Sequence, residues 1–257
     1  MIRMRRMVLR TGKLYFSFIC FCLLFIGSVP AWGMSPLSHI QKIQDFISSP
    51  IIAKKPINRN DIYDSLRLGD FGLSKAAFKE GLAGLNLLVS TGDIQNAGIL
   101  SIIDLSLPSS KKRLFVIDLN TCRLIFNTYV SHGRNSGKEM ATQFSNQPRS
   151  CESSLGFYVT GDTYMGHHGY SLKLNGKEEG INDNACSRGI VIHSASYVNE
   201  RIAKRQGYIG RSEGCPAIPK TLHKNIIEKI KNGTCLFLYS PDKFYETHSK
   251  MRLYPTG

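Results

Sequence analysis

RGIVIHSASYVNERIAKRQGYIGRSEGCPAIP, residues 188–219, is the stretch on which the reading of this chain turns. A short apolar run, Gly189–Ile192, delivers His193, and 22 positions later a glycine-flanked turn, Gly210–Gly214, delivers Cys215. A thiol attacks carbonyls at neutral pH when a neighbouring base takes its proton, and imidazole is the usual base. The glycines permit positive φ and close approach of a substrate to the backbone, which an exposed nucleophile turn requires. These residues predict cysteine acyl-transfer chemistry, with a histidine at the end of a buried strand and the small residues Ser194, Ala195 and Ser196 behind it.

The surroundings of Cys215 extend this reading. Pro216 lacks an N–H and biases Cys215 toward extended geometry. A helix is expected to start near Pro219–Thr221, and its N–H dipoles would favour the thiolate. The N–H groups of Gly214 and Cys215 are natural donors to a developing oxyanion. Ser212 has two readings: its hydroxyl or carbonyl holds the imidazole tautomer, as the third member of a triad does, or it is an ordinary turn serine.

Upstream, His132–Gly137 (HGRNSG) with Phe144–Asn146 is rich in donors and reads as a substrate-binding rim, with Arg134 as the bidentate partner of a carboxylate and His132 beside it, or as a plain surface loop. Thr163 to Gly169 adds His167 and His168. Together with His132, His193 and His223 these invite a metal reading, but neither an HExxH helix nor ordered Cys/His pair spacing occurs, so no metal is expected. Thiol acyl transfer needs no cofactor.

The N-terminus carries Arg3, Arg5, Arg6, Arg10 and Lys13, then the uncharged apolar run Leu14–Val29, then Pro30–Gly33. This is the layout of a secretory signal peptide cleaved after Ala31 or Gly33, and the run is short for a membrane span. Export to the bacterial periplasm or envelope follows, with membrane contact only through the leader. The formal charge of the chain is +14; removing those five residues leaves 28 basic against 19 acidic side chains. The bases are spread from Lys42 to Arg252 and form no nucleic-acid motif; an anionic envelope polymer is the better-matched surface. Beyond residue 33, Cys122, Cys151, Cys186, Cys215 and Cys235 remain. In an oxidising compartment four can pair, in any of three connectivities, and one stays free; the alternative is five reduced thiols.

Residues 34–107 read as mostly helical. Ile40, Ile43, Phe46 and Ile47 have helical spacing, Asp61–Leu68 is a short helix with Asp61 as N-cap, and Ser74 caps a longer one with Ala77, Phe78, Gly81, Leu82, Leu85 and Leu88 on its apolar face. Ile99–Leu105 reads as a strand. From Lys111 strands dominate: a hairpin of Leu114–Leu119 and Arg123–Val130, then Leu155–Thr160, Gly169–Leu174 ending in an Asn175–Gly176 turn, Arg188–His193, and Thr234–Tyr239 after the amphipathic helix Thr221–Lys231. The expected fold is mainly β with α, an α+β domain with a sandwich-type core over 108–240 and the helical segment packed on it. The polar tail 241–257 is expected to be peripheral.

These residues resemble the murein L,D-transpeptidase catalytic-domain family of exported bacterial enzymes (YkuD-like), in its branch with a GRS-x-GCPA nucleophile motif. The resemblance runs through SLGFYVTGDTY (Ser154–Tyr164), HGYSLKLNG (His168–Gly176), RGIVIHSASYV (Arg188–Val198), GRSEGCPAIP (Gly210–Pro219) and NGTCLFLY (Asn232–Tyr239). It implies an L,D-transpeptidase-type β-sandwich. It implies Cys215 as nucleophile, His193 as base and Ser212 as the motif serine. The substrate class would be peptidoglycan stem peptides, with a cross-link formed by an amine acceptor or a trimmed stem formed by water. A non-catalytic wall-binding protein on the same fold is the alternative. The order histidine-then-cysteine disfavours papain- or NlpC-type peptidases. Two positions depart from the broader family: Glu213 stands where a histidine is common, and Ala217 where an arginine is common. Glu213 is therefore expected to face solvent or pair with Arg211, and carboxylate binding to fall to Arg134, Arg188 or Arg211, with Tyr164 also lining the site. The sequence sets no oligomeric state.

Overall fold

The structure, a computed structural model, describes residues 58–252. The leader at 1–33, the periodic segment around Ile40–Ile47 and the last five residues of the tail lie outside the described residues.

After a turn of 3₁₀-helix at Arg59–Asp61 comes α1 (Ile62–Ser65); Asp61 stands at its N-cap position, but its side chain makes no capping bond. The longer helix α2 (Lys75–Ser90) is capped as expected, with the Ser74 hydroxyl accepting from the Ala77 N–H at 3.3 Å. Its apolar face from Ala77 to Leu88 is buried throughout. Each fully buried Leu or Phe there contributes about 1.5–3 kcal/mol. Gly84 brings the helix onto the sheet: a Cβ there would meet the Phe157 ring at 2.1 Å.

Eight strands follow: β1 (Ile99–Asp104), β2 (Leu114–Asp118), β3 (Arg123–Thr128), β4 (Gly156–Gly166), β5 (Gly169–Gly176), β6 (Val191–Ala195), β7 (Ala217–Pro219) and β8 (Cys235–Tyr239). They form one mixed sheet in the order β3-β2-β1-β8-β4-β5-β6-β7. The protein is α+β. The middle strands β1 and β8, paired in parallel, are buried at every position, which explains their uninterrupted apolar runs. A boundary at 107/108 runs through this sheet, since β1 lies between β2 and β8.

The helices α3 (Glu200–Gln206), α4 (His223–Ile230) and α5 (Lys243–His248) complete the fold. Ile226, Ile227 and Ile230 face inward on α4, as the amphipathic pattern predicts. The tail departs from expectation. Tyr245 of α5 is 1% exposed, and its hydroxyl and that of Ser249 both bond the buried Glu178 carboxylate, fastening α5 to the core.

The turn signal at Asn175–Gly176 also resolves differently. Both residues are strand residues, paired with Val159 and Tyr158. A Cβ on Gly176 would sit 1.9 Å from the Asn182 carbonyl oxygen, so the glycine serves a close backbone approach rather than a reversal. The reversal lies at His167–His168, closed by Gly169 at φ +79°, and β4 reaches it by continuing past Thr160 through an irregularity at Gly161–Asp162. Among the described residues no helix is long and apolar enough to cross a membrane. All five cysteines there are free thiols rather than four paired and one free: Cys235 is sealed inside β8, while Cys122 stands on the β2–β3 turn.

Candidate active site

β6 and β7 run parallel, with His193 opposite Ala217. Cys215 precedes β7 by two residues, and its sulfur takes a hydrogen bond from the Val191 N–H at 3.5 Å. Val191 and His193 share a face of β6, about 6.5 Å apart along the strand. The two chemical groups that the sequence singles out, 22 residues apart, are thus brought to β6 and to the turn that leads into its neighbour β7. The sulfur itself donates to the Gly189 carbonyl at 3.6 Å; no hydrogen bond joins it to the His193 ring among the described residues.

Burial pushes the Cys215 thiol up; the Val191 N–H and the Arg188 charge work in the opposite sense, and Glu213 adds to the rise. The helix start expected to favour the thiolate lies further off, because β7 intervenes and α4 begins only at His223. Burial likewise holds His193 below the ordinary imidazole value, with the Ser194 carbonyl opposing and His168 reinforcing the shift. Its Nδ1 lies 3.0 Å from the Ser194 carbonyl oxygen. A carbonyl only accepts, so Nδ1 carries the proton and Nε2 is left with its lone pair.

Ser212 does not orient the imidazole. Its hydroxyl donates to the Cys215 carbonyl at 2.6 Å and accepts from the Gly214 N–H at 3.2 Å. The serine therefore ties the two ends of the nucleophile turn together, and the Gly214 N–H is spent inside it. The Cys215 N–H is the donor left over. Gly214 itself has φ +120°, and a Cβ there would lie 2.8 Å from the Glu152 carbonyl oxygen, so the turn demands glycine.

The loop expected to form a binding rim is instead a buttress. His132 is fully buried. Arg113, also fully buried, donates to the Val130 carbonyl through Nε and Nη2 at 3.1 and 3.0 Å and to the Leu107 carbonyl at 2.9 Å; Nη2 also meets His132 Nδ1 at 2.6 Å. Guanidinium only donates, so His132 accepts at Nδ1 and donates from Nε2 to the Gly137 carbonyl at 3.1 Å. Burial and the Arg113 charge bring its pKa down to about 4. Burial also lowers Arg113 itself, to about 9. The loop grips the nucleophile turn through its backbone: Ser212 N–H donates to the His132 carbonyl at 2.9 Å and Arg134 N–H to the Ser212 carbonyl at 2.8 Å. Ser153 closes the other side, accepting from Gly133 N–H at 3.0 Å and donating to the Gly214 carbonyl at 3.3 Å.

Glu213 pairs with Arg134 at 2.6 Å, not with Arg211. Arg188 is committed to the 145–154 segment, donating to the carbonyls of Ser145 and Glu152 at 2.7 Å and to the hydroxyls of Ser150 and Ser154 at 3.1 and 2.5 Å. Its charge still acts on the Cys215 sulfur. Arg211 is exposed and, among the described residues, bonds only neutral carbonyls, those of Arg134 and Gly137, at 3.2 Å each. Tyr164 is exposed on the β4–β5 hairpin, with Lys173 5.9 Å from its ring centre.

Two site features carried no usable signal in the sequence. One is the Ser194 carbonyl, since any residue supplies one. The other is His168, whose ring stacks on His193 with centres 4.2 Å apart and planes 19° apart. Among the described residues no three His, Cys, Asp or Glu side chains gather as a metal-ligand set.

A search of curated proteins gives no match. Among solved structures the chain is similar to an L,D-transpeptidase from Mycobacterium smegmatis (12% identity, 56% of this chain and 59% of that one, TM-score 0.35). It is also similar to the helical cell shape determining protein Pgp2 from Campylobacter jejuni (12% identity, 63% and 57%, TM-score 0.37) and to an L,D-transpeptidase from Stackebrandtia nassauensis (16% identity, 72% and 92%, TM-score 0.35). The chain thus spans under two thirds of the length of the first two. The family model described as L,D-transpeptidase catalytic domain matches residues 70–239. That match takes in more than half of the sequence together with the whole of β1 to β8, and the chain belongs to the L,D-transpeptidase catalytic domain family.

Proposed function

We propose that the protein is a peptidoglycan-modifying cysteine acyltransferase, an L,D-transpeptidase that uses Cys215 as nucleophile and His193 as base. One observation carries the reading: the Ser194 carbonyl accepts a hydrogen bond from Nδ1–H of His193, leaving a basic Nε2 on β6, the strand whose Val191 N–H meets the Cys215 sulfur. The thiol is held protonated at rest, so it needs this base at the moment of attack. His193 takes the proton, the thiolate attacks the carbonyl on the L-side of an L-centre–D-residue bond in a stem peptide, and the Cys215 N–H faces the developing oxyanion. Protonated His193 returns the proton to the departing amine of the terminal D-residue, leaving a thioacyl-enzyme. An amine from a second stem then attacks with His193 again as base, which forms the cross-link and regenerates the thiol. Water in place of that amine gives L,D-carboxypeptidase chemistry.

Arg211 is the best-suited of the three arginines to meet a substrate carboxylate, because its charge has only neutral partners. Thiol chemistry of this kind calls for no cofactor. The basic-then-apolar N-terminus at residues 3–29 supports export to the cell envelope, where the substrate is.

Stem tetrapeptide incubated with the purified chain, with and without an amine acceptor, tests the reading by mass spectrometry. A thioacyl adduct on Cys215, absent in Cys215→Ala, supports it, and cross-linked dimer rather than tripeptide alone selects the transpeptidase branch. A folded wild-type chain that forms no adduct with either tetrapeptide or a carbapenem-type acylating probe would return the protein to the non-catalytic wall-binding alternative.

A further inference from the structure

The β4–β5 hairpin does more than complete the sheet. β5 pairs antiparallel with β6 through Leu172–Ile192 and Lys173–Val191, so its far end runs alongside His193. The hairpin tip is the two residues His167 and His168, and the left-handed Gly169 closes it as a type I turn with a bulge does. The tip is exposed, yet the His168 ring turns back and lies on the face of the His193 imidazole, 4.2 Å between centres and 19° from parallel. His167 meets only the edge of His168, at 5.2 Å and 70°.

We propose that His168 is a positioning residue for His193, fixing the plane in which its Nε2 meets the Cys215 thiol. This rests on His193 being the base. One hydrogen bond, Nδ1–H to the Ser194 carbonyl, pins a single edge of the imidazole and leaves its plane free to tilt about that bond. A stacked ring on the face removes the tilt. Edge and face constraints together define the ring, as a proton transfer sensitive to misplacement of about 1 Å requires. The stack also covers His193, which is 3% exposed, with a side chain that is itself in solvent. When His193 accepts the thiol proton it becomes a cation beneath His168. A neutral imidazole face tolerates that charge, whereas a protonated one repels it. The groups that face the pair divide cleanly: His168 from the hairpin and the Ser194 carbonyl from β6 act on His193, while Arg188 and Glu213 act on the sulfur.

His168→Ala and His168→Phe, made in the full chain, separate positioning from simple structure. His168 lies at an exposed tip, so both variants should melt with the wild type. NMR of the imidazole resonances reads the titration of His193, and the pH profile of Cys215 alkylation by iodoacetamide reads the thiol. In His168→Ala the expected results are a His193 titration moved to higher pH, because the covering ring and its opposition to a second cation are both gone, and acyl-adduct formation at neutral pH reduced about tenfold. In His168→Phe the flat ring should restore adduct formation to within about twofold, with His193 moved up by less. Identical His193 titration in wild type and His168→Ala overturns the proposal, as does a Phe variant no better than Ala. A wild-type chain inert toward stem peptide would count against the transferase reading alone, since the NMR titration does not depend on turnover.

Discussion

The Cys215 turn is flanked by two histidines, and they differ in one respect that decides what each can do. His132, in the loop behind the turn, has both ring nitrogens engaged: Arg113 donates to Nδ1 and Nε2–H donates to Gly137. His193, on β6, has only Nδ1 engaged among the described residues, through Ser194. Both are buried, and burial lowers both. A depressed imidazole inside a site is therefore not enough to identify a base. The vacancy at one nitrogen is what separates a proton acceptor from a strut.

The largest effect should come from exchanging the two roles by mutation. His193→Ala is expected to lower acyl-adduct formation on Cys215 by about a thousandfold with the chain still folded and less destabilised than by loss of His132. His132→Phe should do the reverse in kind, costing about 2–3 kcal/mol of stability because a buried guanidinium loses a hydrogen-bonded partner. Denaturant unfolding and adduct kinetics on both variants check this. If His193→Ala proves the more destabilising and His132→Phe the more inactivating, the comparison is inverted.

The second effect is in pH. His132 titrates near 4 in the folded chain against about 6.5 when unfolded. A group with a lowered folded pKa gives stability that is present above pH 6.5 and lost as pH falls toward 4, because the unfolded chain binds the extra proton first. The loss across that window should be roughly 3 kcal/mol. In His132→Phe this part of the acid-side slope should vanish. An unchanged slope between pH 6.5 and 4 would mean that His132 is not held neutral by its burial and the Arg113 charge.

Much of this was readable from the chain. Ser74 and the apolar face of α2, the β2–β3 hairpin, β6 ending near His193 and the Cys215 turn all depend on local spacing, and local spacing survives folding. What was lost depends on distant partners. HGRNSG looks like a rim because its residues are polar, and nothing near it announces that Arg113 will be buried against it. Asn175–Gly176 has turn chemistry, but the need for glycine there comes from the carbonyl of Asn182 in the loop that follows. Ser212 reads from the sequence either as an orienting group or as a plain turn serine; its hydroxyl bonds within the turn, and the imidazole's acceptor is the carbonyl of the residue next to it. Glu213 took Arg134, 79 residues away, over the nearby Arg211.

Ser212 gives the third test, of intermediate size. Ser212→Ala removes a hydroxyl that bonds both the Cys215 carbonyl and the Gly214 N–H, so the chain should lose about 1–2 kcal/mol and adduct formation should fall about tenfold. The His193 titration, followed by NMR, should not move. A shifted titration would restore Ser212 as the orienting group and remove Ser194 from that role.

The smallest effect separates charge near the sulfur from charge near the base. Glu213 raises the Cys215 thiol, yet it does not act on His193. It is an exposed residue whose ion pair with Arg134 lies in solvent, so Glu213→Gln should leave the melting temperature unchanged. The iodoacetamide profile of Cys215 should move to slightly lower pH, and the shift should shrink in high salt because the interaction crosses solvent. The His193 limb should stay where it is. A Glu213→Gln variant in which the imidazole limb moves as far as the thiol limb would mean that sulfur and ring titrate as one coupled unit, and the division between a base set by the hairpin and a thiol set by Arg188 and Glu213 would then have to be given up.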